Sequence, residues 1–80
     1  MTNKNIIFTN NDLKGNGFED AIFENCKFVG EIQFVNFSNC TFKNCDFSQG
    51  LYNIVSLFNC SFPESKLSNI DFRDINIRLL

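Results

Sequence analysis

Cys40-Thr41-Phe42-Lys43-Asn44 is followed at once by Cys45-Asp46-Phe47-Ser48-Gln49. The two units share one plan: a small residue, a polar one, a Phe and two further polar positions. Stepping outward by fives from Phe42 finds Phe37 behind and Phe47, Tyr52, Leu57, Phe62, Leu67, Phe72 and Ile77 ahead. An earlier run holds Phe8, Leu13, Phe18, Phe23 and Phe28, offset by one residue, so Glu31-Ile32-Gln33-Phe34 is a four-residue unit. These slots take nine of the 11 Phe residues and leave only Phe34 and Phe58 outside. Internal repetition of this kind decides the fold before any local propensity does.

A second column stands two residues before each centre, among it Ile6, Ala21, Cys26, Val35, Cys40, Cys45, Gly50, Val55, Cys60 and Ser65. It is mostly small or β-branched, and the remaining positions are mostly Asn, Ser, Asp, Lys and Glu. A period of five fits neither the 3.6 of a helix nor the 2.0 of a flat strand. It fits a chain that turns a corner every five residues, sends two side chains inward per unit, and stacks parallel strands about 4.8 Å apart.

The units Cys40–Asn44, Cys45–Gln49 and Ile70-Asp71-Phe72-Arg73-Asp74 resemble the pentapeptide-repeat family, over roughly residues 6–79. That resemblance implies an all-β, right-handed quadrilateral parallel β-helix with four units per coil and a little under four coils, forming a single domain over residues 1–80. Phe8, Phe28, Phe47 and Leu67 would then share one face, and Phe18, Phe37, Leu57 and Ile77 another. Phe23, Phe42 and Phe62 would share a third. Leu13, the short unit, Tyr52 and Phe72 would share the last, with Ile32 inward and Phe34 near a corner.

The register absorbs features that look chemical. All four cysteines fall in the small inward column, Cys26 beneath Cys45 and Cys40 beneath Cys60, and are read as buried thiols acting as small hydrophobes. Asn10, Asn25, Asn39, Asn44, Asn59 and Asn69 share the last position of a unit, where Asn tolerates a tight backbone. The sequons at Asn36, Asn39 and Asn59 fall out of the same grammar. The chain has no His, which removes His-based acid–base chemistry and Cys/His zinc sites. No catalytic residue, metal ligand or cofactor is expected, and the protein is read as non-enzymatic.

The net charge of −2 lacks the basic stripe of a nucleic-acid binder, so no direct nucleic-acid contact is expected. Residues 1–10 lack the apolar core of a signal peptide, and no apolar run of bilayer-spanning length occurs, so the expected compartment is cytoplasmic and no membrane contact is expected. Two surfaces stay unexplained by packing. Glu19, Asp20 and Glu24, with Glu31 following, make an acidic cluster that suggests a protein-binding surface. Ile75, Ile77, Leu79 and Leu80 make an apolar C-terminal end that suggests homodimerisation through the last coil. Leu51, Ile54 and Phe58 are expected to point outward, and nothing is left at either end for a capping helix.

The favoured function is a protein–protein interaction module. One form of it is a small inhibitor of a nucleic-acid enzyme by partial DNA mimicry, of the gyrase-binding kind the resemblance implies or as a phage counter-defence. The alternative is a structural or self-associating rod. Mimicry needs about one negative charge per 1.7 Å, which nine acids set among seven bases supply thinly.

Overall fold

The turning points come first. In the computed structural model, which describes residues 2–68 and 75–79, ten residues adopt positive φ: Asn5, Gly15, Asp20, Asn25, Gly30, Phe34, Asn39, Asn44, Asn59 and Glu64. Each is the last residue of a unit, where the chain changes direction. Asn, Asp and Gly take this conformation at least cost, because a bulky side chain at positive φ crowds the backbone. Of the Asn positions expected there, Asn25, Asn39, Asn44 and Asn59 comply. Asn10 instead opens a short helix, and Asn69 lies outside the described residues.

Between the corners lie β1 (Thr2–Lys4), β2 (Ile7–Phe8), α1 (Asn10–Leu13), β3 (Gly17–Glu19), β4 (Ile22–Glu24), β5 (Lys27–Ser38), β6 (Thr41–Lys43), β7 (Asp46–Cys60) and β8 (Ile75–Leu79). Every pairing is parallel and joins a segment to the one 19 or 20 residues further on. The first ladder is β1–β4–β6, extended by a bridge from Thr41 to Ser61. A second runs from β2 through the start of β5 to the start of β7, extended by a bridge from Asp46 to Lys66. The third pairs Gly30–Gln33 with Gly50–Asn53, and the fourth runs β3, the end of β5, the end of β7 and β8. The protein is therefore mostly β with parallel sheets, and no helix among the described residues is long and apolar enough to cross a membrane.

The offset drops to 19 where the earlier run meets the later one. The register shifts between Lys27 and Val29, just ahead of the Glu31–Phe34 unit to which the sequence reading assigned the missing residue. Gly30, at φ +85, takes the tighter corner there. As expected, Ile32 is buried and Phe34 sits at a corner. The second unit departs from expectation. Asn10–Leu13 forms one helical turn instead of a strand, because Thr9 and Asp12 close a capping box. The Asp12 carboxylate accepts the Thr9 amide at 2.8 Å. Leu13 still reaches the core, fully buried, and the Asn10 side chain accepts the Gln33 amide at 2.8 Å. A helix thus covers the start of the third ladder, where none was foreseen.

The centre slots fill the interior with columns of rings. Phe8, Phe28 and Phe47 stack at 5.3 and 4.6 Å; Phe23, Phe42 and Phe62 at 4.9 and 5.3 Å; Phe18 and Phe37 at 5.3 Å. Rings of different columns meet edge to face, as Phe37 meets Phe42 at 5.1 Å. Both arrangements suit the ring quadrupole and are worth about 0.5–1.5 kcal/mol per pair beyond burial. Tyr52 completes the third ladder by folding back over Gly50, which has no Cβ to obstruct it, and donates to the Phe47 carbonyl at 2.8 Å.

Phe34 is the corner residue with least reason to be there. It takes φ +57 while 48 % exposed, so little packing offsets the backbone cost. Replacing it with Asn, the commonest corner residue here, is expected to raise stability by roughly 0.5–1 kcal/mol. Urea unfolding of Phe34→Asn measures this; a lower midpoint would mean that Phe34 packs more than its exposure implies.

Candidate protein-binding groove

The outward positions of the four ladders carry different charge patterns. On the first, Lys4, Glu24 and Lys43 are register neighbours, and the Lys4 ammonium lies 3.7 Å from the Glu24 carboxylate. On the second, Lys27, Asp46 and Lys66 alternate likewise. The Ser48 hydroxyl and amide both donate to Asp46, at 2.6 and 2.8 Å, and hold its carboxyl below the usual value. Exposed pairs of this kind contribute little energy each, but like charges placed opposite one another would oppose the register.

The fourth ladder differs. Across its first three strands, residues 16–20, 35–39 and 55–59, there is no Lys or Arg. Glu19 and Asp20 are both exposed there, and neither makes an ion pair among the described residues. Beside them lies a groove of about 310 Å³ lined by Gly17, Phe18, Glu19, Asn36, Ser38 and Phe58. The register explains it. Gly17 pairs with Asn36, and Glu19 pairs with Ser38, which pairs in turn with Phe58. Small side chains at Gly17 and Ser38 leave a depression between a carboxylate and a half-buried ring.

The acidic residues singled out in the sequence are thus only partly gathered. Glu19 and Asp20 stand together at one end of the fourth ladder. Glu24 lies on the first ladder, paired with Lys4, and Glu31 is exposed on the third, in register with Leu51. Of the apolar C-terminal set, Ile75, Ile77 and Leu79 lie on β8, in register with Val55, Leu57 and Cys60, and Leu80 is outside the described residues. Leu51 is 67 % exposed, Phe58 is half-buried, and the Ile54 side chain is outside what is described. Gly17, Asn36 and Ser38 were missed. Their signal was available in the register itself, since steps of 19 and 20 from Glu19 land on Ser38 and Phe58.

The thiols have a definite role that hydrophobicity alone does not give them. Each of the four cysteines is buried and free, and each thiol faces the carbonyl two residues before it and a second carbonyl in the neighbouring strand. The second acceptors are Asn3, Phe18, Phe23 and Phe37, all occupants of centre positions, at 3.3–3.6 Å. Ser65 repeats the pattern with its hydroxyl on the Phe42 carbonyl at 2.6 Å. The small column therefore ties strands together with side-chain donors, weakly for sulfur. Burial pushes the Cys45 thiol up to about 11, and its hydrogen bond with Cys40, together with burial, holds the Cys60 thiol well above its usual value.

Chemically, the groove offers a carboxylate, the Phe58 ring, an amide and a hydroxyl. The described residues bring together no group of three or more metal-ligating side chains. Such a lining can bind through charge and stacking. No family model, no curated protein and no solved structure matches this chain.

Proposed function

We propose that the chain is a pentapeptide-repeat solenoid, a right-handed quadrilateral β-helix of a little under four coils, that works as a non-enzymatic protein–protein interaction module. Parallel pairing at 20 residues equals four five-residue units, and at 19 three such units with the four-residue one, which supports the solenoid. The functional reading is carried by one observation: among the described residues Glu19 and Asp20 make no ion pair and stand beside a groove lined in part by Phe58, whereas the first and second ladders alternate charge. A basic protein surface complements that face. Enzymes that handle DNA offer such surfaces, and inhibition of one of them by partial mimicry is the specific form this module would take.

The test is capture from a bacterial lysate, together with DNA supercoiling by gyrase at micromolar protein. A partner held by the wild type, lost with Glu19→Lys/Asp20→Lys and kept with Glu31→Lys supports the reading. Binding indifferent to the double reversal removes the acidic face, and unimpaired supercoiling removes the gyrase branch. A self-associating rod is the second reading, favoured by β8, which among the described residues pairs on one side only, with β7. Sedimentation equilibrium showing a dimer that Leu79→Lys dissociates, with no other partner captured, would favour that reading instead.

A further inference from the structure

Resting on that reading, we propose that the groove of the fourth ladder is a receptor for one arginine side chain of the partner, stacked on Phe58 and bonded to Glu19. The spacing supports this. Glu19 and Phe58 flank Ser38 in a single column of register neighbours, so their backbones stand two strand spacings apart, about 9.6 Å. Ser38 is too short to fill that gap. A guanidinium is flat, roughly 3.5 Å thick at van der Waals contact, and can lie against a ring while turning its N–H edge toward a carboxylate.

Arginine suits these walls better than lysine does. Its planar fork makes two parallel bonds to a carboxylate and stacks on an aromatic face, whereas an ammonium is a strongly hydrated point charge. The Phe58 ring adds a cation–π attraction, and the Asn36 side-chain oxygen offers a second acceptor across the groove. Asp20, the next residue after Glu19 and also exposed, raises the negative potential at the mouth. No Lys or Arg of residues 16–20, 35–39 or 55–59 competes for the space. Arg78 pairs in register with Phe58 on the side away from Ser38. The lining thus names the chemistry of the partner residue, which the charge of the face alone does not.

The experiment is an NMR titration of the isotope-labelled protein with N-acetyl-arginine methylamide, and separately with its lysine counterpart. The expected result is amide shifts confined to Gly17–Glu19, Asn36–Ser38 and Phe58, with the arginine compound binding more tightly. Glu19→Gln, an exposed change that leaves the core intact, is expected to weaken binding about tenfold, and Phe58→Leu severalfold. Shifts centred on Glu24 or Glu31, equal binding of both compounds, or no loss in Glu19→Gln would each overturn the assignment. If the arginine compound binds nowhere while Glu19→Lys/Asp20→Lys still abolishes partner capture, the arginine receptor fails and the interaction module stands. If it binds here while capture ignores the reversal, the acidic face is not where that partner docks, and the groove's preference for arginine stands.

Discussion

Phe42→Ala is expected to unfold the domain at 25 °C, or to leave it barely folded. Phe42 is completely buried and stacks between Phe23 and Phe62, with Phe28, Phe37 and Phe47 edge-on around it. Truncating a buried Phe costs about 3–5 kcal/mol from lost transfer energy and the cavity left behind. Ring pairs add roughly 0.5–1.5 kcal/mol each. Domains of ordinary stability hold about 5–15 kcal/mol in total, and one of 80 residues has little surplus. Far-ultraviolet circular dichroism through a urea titration measures the loss. Phe34→Ala, a change of the same size at an exposed corner, is the internal control and should cost little. Similar losses for the two would mean that burial does not distinguish the Phe residues on and off the five-residue register.

The second large effect is alkaline. An acid whose folded pKa is raised stabilises the fold below its unfolded pKa, and that contribution disappears as pH climbs through the folded value. The Cys45 thiol moves from 9.0 to about 11. Cys60 is raised as well, as is the Tyr52 phenol, by burial and then by the charge of Asp46. Above about pH 9 the unfolded chain releases thiol protons that the folded chain retains, so stability falls. The slope is about 1.4 kcal/mol per pH unit for each retained proton. Urea midpoints measured from pH 9 to 11 under reducing conditions, above the range in which the lowered Cys40 thiol opposes the trend, are expected to drop steeply, and Cys45→Ala should flatten the profile. A flat wild-type profile would mean that the thiols reach solvent.

Much of this structure could be read from the chain because one constraint repeats. A slot that admits a large ring every five residues forces the others outward, so Phe23, Phe28, Phe37, Phe42 and Phe47 were placed correctly in the core. The stacking of Cys26 with Cys45 and of Cys40 with Cys60 followed from counting alone. What escaped was local. Asn10–Leu13 became helical through the Thr9–Asp12 capping box, a short-range preference that a period of five does not reveal. The register shift also escaped, since it falls between Lys27 and Val29 and not within Glu31–Phe34.

The candidate site was legible in part. Glu19 and Asp20 were marked by charge, and Phe58 by standing outside the register. Their common surface depends on the small side chains of Gly17 and Ser38, which announce nothing individually. Glu24 and Glu31 looked like members of the same cluster because they are near in sequence, yet corners at Asp20, Asn25 and Gly30 turn them onto other ladders. Sequence proximity misleads in a chain that changes direction every five residues.

Glu19, Ser38 and Phe58 are register neighbours although 19 and 20 residues separate them along the chain, and both the ladders and the groove rest on that pairing. Nuclear Overhauser spectroscopy of the labelled protein tests this directly. The expected result is backbone cross-peaks from Ser38 to both Glu19 and Phe58, in the pattern of parallel strands. Cross-peaks joining Ser38 to partners fewer than about twelve residues away, as two-residue hairpins would produce, would contradict both the ladders and the groove built on them.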